Sequence, residues 1–98
     1  MTHTEAQKVF EVMEVDQEDD STWIIYGLTY ANIAVGDTLH IHSTTETSEM
    51  TYLPIEVVRI LVFENREVSE VDVGYYSKLF VVGDGREMVK KNDHFYST

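Results

Sequence analysis

The chain has 98 residues, 43% of them hydrophobic, with 18 acidic and 7 basic side chains and a formal net charge of −11. This length suits one domain over 1–98 with one core, and this apolar share excludes a disordered chain. The absence of cysteine excludes disulfides, thiolate metal sites and cysteine nucleophiles, and the acid excess argues against nucleic acid, whose phosphates are met by Lys and Arg.

No apolar run approaches the ~20 residues that cross a bilayer, so no membrane span is expected. The opening MTHTEAQKVF lacks the basic-then-apolar pattern of a secretory signal. A cytoplasmic placement follows as the expectation.

Residues 1–7 are polar and are expected to fray as a flexible N-terminus. Lys8 to Val15, KVFEVMEV, carries apolar side chains at Val9, Phe10, Val12, Met13 and Val15. The spacing is neither period 2 nor period 3.6, and the residues are mostly β-formers. A strand with a bulge is predicted. Asp16 to Ser21, DQEDDS, reads as a solvated hairpin tip. Its four carboxylates lack the alternating ligands, mid-loop Gly and closing Glu of a calcium loop.

Trp23 to Tyr30 is the strongest strand. Ile24, Tyr26, Leu28 and Tyr30 share one face, and Trp23, Ile25, Gly27 and Thr29 the other. Gly27 inside a strand predicts a bend or a close backbone approach. Ala31-Asn32 is read as a turn, with Asn32 in the left-handed region. Ile33 and Val35 are expected to anchor the next connection to the core, and Gly36-Asp37 to turn it. Leu39 and Ile41 then point inward, His40 and His42 outward. Two imidazoles without a third ligand fall short of a zinc site, so no metal or other cofactor is expected.

Ser43 to Thr51 has one apolar residue, Met50, and is read as a mobile loop. Pro54 is placed at the start of the following strand. Ile55 to Phe63, IEVVRILVF, is nearly all apolar and fits a barrel wall, with Arg59 reaching an edge or a carboxylate. Glu64 to Val73 is a polar connection holding Val68, Val71 and Val73, ended by Gly74. Tyr75 to Val82 is a strand closed by Gly83-Asp84-Gly85. Its two tyrosines point to opposite faces, so one of them is expected near the surface. Arg86 to Asp93 holds one helical turn at most, and His94 to Ser97 is a last short strand. Many short strands with Gly, Asn and Asp turns predict an all-β fold, a small closed Greek-key-type barrel of about six to eight strands.

The order of these pieces resembles the second domain of translational GTPases, the elongation factor Tu-like β-barrel. The resemblance runs from Val9 to Tyr96. It rests on the opening strand Val9 to Val15, the strand Trp23 to Gly27, Tyr30-Ala31-Asn32, and Val35-Gly36-Asp37 stepping into Leu39 and Ile41. Ile55 to Phe63, the acidic valine-bearing stretch Val68 to Gly74, the strand reaching Gly83, and the charged run Arg86 to Asp93 complete it. The resemblance implies a translation-protein-like barrel standing without its GTPase domain, since no Gly-x-x-x-x-Gly-Lys-Ser/Thr loop occurs. It implies contact with ribosomal RNA or the aminoacyl end of transfer RNA. The acidity argues against that role, and no binding residue carries over.

No catalytic set emerges. Ser77, His94 and scattered carboxylates have no GxSxG elbow around them, and abundant carboxylates carry little diagnostic weight. The chain is therefore expected not to be an enzyme. Trp23, Tyr26, Tyr30, Tyr52, Tyr75, Tyr76 and Tyr96 are many aromatics for this length. They fit barrel packing, or a face that grips a peptide or stacks bases. The main functional expectation is a non-catalytic interaction module that binds a protein. The alternative is a ribosome- or RNA-associated accessory domain, using Arg86, Lys90 and Lys91 with Lys78 beside them. Self-association by strand addition at a seam is a further possibility.

Overall fold

The computed structural model describes residues 7–44, 50–83 and 89–97. Among these residues nine strands follow one another: β1 (Gln7–Gln17), β2 (Trp23–Thr29), β3 (Ile33–Ala34), β4 (Thr38–Thr44), β5 (Met50–Val62), β6 (Arg66–Val68), β7 (Glu70–Val71), β8 (Tyr76–Val82) and β9 (His94–Ser97). A 3-10 turn over Phe63–Asn65 joins β5 to β6. Among the described residues there is no α-helix, and no helix is long and apolar enough to cross a membrane.

Neighbouring strands run β4-β9-β1-β2-β8-β5, and β5 pairs back onto β4. Six antiparallel strands therefore close on themselves. β4, β5 and β8 are successive in the wall, with β2 beside β8 and β9 beside β4, which is Greek-key order. Closure pairs the backbone groups that an open edge would leave free to recruit other chains. β5 is long enough to hold two partners on one edge. Met50 to Glu56 pair with β4, and Ile60 to Val62 pair with β6. β3 and β7 form a separate two-stranded pair.

The interior follows from strand alternation. Ile25 of β2, Leu39 and Ile41 of β4, Ile55, Val57 and Ile60 of β5, and Leu79 and Val81 of β8 are buried in one cluster. Phe10 and Phe95 stack within it, ring centroids 5.6 Å apart. A six-stranded barrel is narrow enough to be filled by such side chains. The buried hydroxyls of Thr29 and Ser77 lie 3.4 Å apart and satisfy each other.

β1 carries the expected bulge, between Val12 and Glu14. Several expectations are corrected. Gln7 is not part of a frayed end but opens β1, opposite Ser97, while residues 1–6 lie outside the described residues. The loop read over Ser43 to Thr51 is shorter than expected. Ser43 pairs with Thr51 and Thr44 with Met50, extending a two-stranded ribbon; residues 45–49 lie outside the described residues. Threonine-rich polar segments sustain a ladder where cross-strand bonds hold them, although they bury little. Pro54 stands inside β5 rather than at its start. It is tolerated because β8 pairs with β5 only from Glu56 onward, so no ladder bond is lost.

Asn32 does not take a positive φ; among the described asparagines, Asn65 and Asn92 do. Val35 is 44% exposed and anchors nothing, whereas Ile33 is fully buried. The polar connection after Glu64 contains β6 and β7, with Val71 buried and Val73 exposed. Tyr75 and Tyr76 are both exposed, since Tyr75 precedes β8 instead of pointing into the barrel. Residues 89–93 form coil and turn, and residues 84–88 lie outside the described residues.

Candidate functional site

The outer surface of β2, β8 and β5 is apolar, apart from the core. Alternation along β2 sends Ile24, Tyr26 and Leu28 outward, and along β8 it sends Tyr76, Lys78 and Phe80 outward. On β5 a bulge between Val57 and Arg59 shifts the phase. It turns Arg59 and Leu61 to the outside while Ile60 stays in the core cluster. Leu61 and Phe80 are both buried, yet neither belongs to the interior cluster. Both line one hollow on the outside of the wall.

Register places these residues in rows across the strands. Asp16, Ile24, Phe80 and Arg59 form one row; Glu14, Tyr26, Lys78, Leu61 and Glu67 form the next; Glu11, Leu28 and Tyr76 form a third. The Tyr26 and Tyr76 rings stack 6.0 Å apart. The Arg59 guanidinium sits 5.1 Å from the Phe80 ring centroid, and its Nε donates to Glu67 Oε1 at 2.9 Å. Two adjoining hollows of about 400 Å³ run along this face, sharing Tyr26, Leu61 and Lys78.

At the lower end the chain projects an aromatic ring. Glu64 and Asn65 both have positive φ, so β5 turns into β6 within three residues. Phe63, which opens that turn, is 83% exposed. Non-glycine residues other than asparagine rarely occupy this region. Lys78 Nζ donates to Asn65 Oδ1 at 3.2 Å and ties the turn to β8.

The rim on the β1 side is acidic. Glu14 and Asp16 lie directly beside Tyr26 and Ile24. Glu11 accepts a hydrogen bond from the Tyr30 hydroxyl, and this carboxylate raises the Tyr30 pKa above its usual value. The Tyr30 ring stacks in turn on His94.

The other residues singled out by sequence are dispersed. Lys90 and Lys91 precede β9 in a turn whose Asn92 and Asp93 bond to Val12. Both β1 and β2 therefore separate them from β8 and Lys78. Lys78 is therefore not beside Lys90 and Lys91, and Arg86 lies outside the described residues. His40 is half-buried on β4, and the His42 side chain lies outside the described residues, as does that of Tyr52. Among the described residues no three His, Asp or Glu side chains are grouped to hold a metal. Ser77 is buried against Thr29 while His94 stacks on Tyr30, so they form no pair. Asp19 of the hairpin tip spends its Oδ1 on Ser21 and Thr22.

Leu61 and Phe63, at the end of the β5 run, were not legible as outward residues, because the bulge in β5 cannot be placed from sequence. Ile24 and Phe80 did carry a signal, because Ile24 shares the phase of Tyr26 and Phe80 that of Lys78 and Tyr76. No family model matches this chain, and no curated protein matches it at a significant level.

Proposed function

We propose that this barrel is a non-catalytic interaction module that binds a protein through the outer face of β2, β8 and β5. One observation carries the reading. Large apolar and aromatic side chains are gathered outside a core that is already complete, and Tyr76 (50% exposed) and Phe63 remain open to solvent. An exposed apolar group rimmed by charge is a feature of interaction surfaces, and tyrosine and arginine are enriched there. A kinship with the second domain of translational GTPases belongs to the same proposal; the order of glycine-punctuated strands supports it. Protein is favoured over RNA because carboxylates, not lysines, flank the face. A cytoplasmic setting is also proposed, since a fold built without cysteine suits a reducing compartment.

The test is capture from native host cells, with wild-type bait run beside a Phe63→Ser/Tyr76→Ser bait. A stoichiometric protein held by the first and lost by the second is expected. Recovery of no such protein, or equal recovery by both, sinks the proposal.

A further inference from the structure

We infer that this outer face takes a short protein segment whose apolar side chains are flanked by lysine or arginine. The inference rests on the protein-binding reading above and specifies the partner's chemistry. The floor of the face is Ile24, Tyr26, Leu61 and Phe80, with Lys78 beside them, and its apolar part asks for apolar side chains. Its rim asks for cations. Glu14 and Asp16 stand one strand away from Tyr26 and Ile24 in direct register. Among the described residues no basic group lies within ion-pair distance of either. Arg59 is already turned to Glu67 and Lys78 to Asn65. A partner cation on the β1 side, away from Lys78, therefore meets carboxylates with which no described basic group makes an ion pair.

Size sets the kind of segment. Three rows over three to five strands span roughly 15 Å by 15–20 Å at ordinary strand spacings. That is far below the roughly 800 Å² per partner of a standard interface between folded proteins, and it suits a short stretch of chain. A second copy is a poor occupant: each carries a net charge of −11, and a two-fold contact sets like charges against each other. Single-stranded nucleic acid has bases that stack on tyrosine, but its phosphates would lie against Glu14 and Asp16.

Amide chemical shifts of the full chain test this. Four probes are titrated separately: a short synthetic peptide alternating leucine or phenylalanine with lysine, its glutamate-for-lysine counterpart, a lysine-only peptide, and a single-stranded oligonucleotide. The leucine-lysine peptide is expected to shift β2, β5 and β8 amides, and the other three are expected to leave them unmoved. Its affinity should fall severalfold between about 0.01 M and 0.15 M salt. Glu14→Gln/Asp16→Asn should weaken it about fivefold. Asparagine at 16 keeps the acceptor for the Gln17 N–H, which Asp16 Oδ1 now receives at 2.8 Å. If that variant does not fold, Phe63→Ser, at an exposed position, replaces it and should also weaken binding.

Equal binding of the glutamate peptide overturns the basic partner and leaves the protein-binding face standing. Equal binding of the lysine-only peptide removes the apolar floor from the inference and overturns it. Shifts from the oligonucleotide alone, or from none of the four at millimolar concentration, overturn both this inference and the reading on which it rests.

Discussion

Gly27 is a glycine for lack of space rather than for backbone freedom. A β-carbon built there meets the Glu11 carbonyl oxygen at 1.9 Å and Phe10 Cε2 at 2.7 Å, although its φ is not positive. Gly74 is the opposite case, with φ +91° and nothing within 4 Å of the added carbon. Gly27→Ala should therefore destabilise by at least about 2 kcal/mol through overpacking, and Gly74→Ala by about 1 kcal/mol through backbone strain. Urea unfolding of both checks the order; a reversal would show that β1 does not cross β2 this closely. Asp19 gives a pH-dependent case. Its carboxylate accepts the Ser21 N–H, then the Ser21 hydroxyl and the Thr22 N–H, which together hold its pKa below the usual carboxylate value. A lowered folded-state pKa contributes stability above the unfolded value and loses it as pH falls through the folded one. Wild type should thus exceed Asp19→Ala in stability at about pH 6, by a margin that narrows as pH falls below the ordinary carboxylate range. A margin that stays constant into acid would mean the loop is held by something other than the ionised carboxylate.

At the scale of the elements, the barrel is unevenly tied. β2 is laddered by seven register pairs to β1 and six to β8. β9 has four to β1 and two to β4. The β4–β9 seam should open first, with β9 amides exchanging at a free energy on the order of 1–2 kcal/mol below those of β2. Native-state hydrogen exchange reads this directly, and equal protection of β9 and β2 would contradict it. Elements were also where sequence reading was most uneven. The strand Trp23 to Thr29 was legible because its side chains alternate in burial and its neighbours are turn residues. The ribbon at Ser43 and Thr51 was not, since polar residues that pair outside the core carry no hydrophobic period. The bulge in β5 was invisible for the reverse reason: in IEVVRILVF almost every residue is apolar, so no phase can be assigned. That single shift turns Leu61 outward, and with it the candidate face.

For the whole molecule, charge and apolar surface oppose each other. Near pH 7 a net charge of −11 keeps copies apart, while the outer face offers apolar contact. Static light scattering should report a monomer at neutral pH and growing association toward pH 4.5, where the chain is near neutral. Association that is strongest at neutral pH would mean that the copies meet through a surface other than the acid-rimmed face. From its own residues the chain determined that it would be β throughout, one core in size and acidic, because local period, length and ionisable groups are properties each segment carries by itself. Which strand closes on which, where a bulge shifts the phase, and that Tyr26, Leu61 and Phe80 meet outside the wall were decided only by tertiary pairing. Those contacts join residues far apart in the chain, and their register is set by the packing of all six strands together.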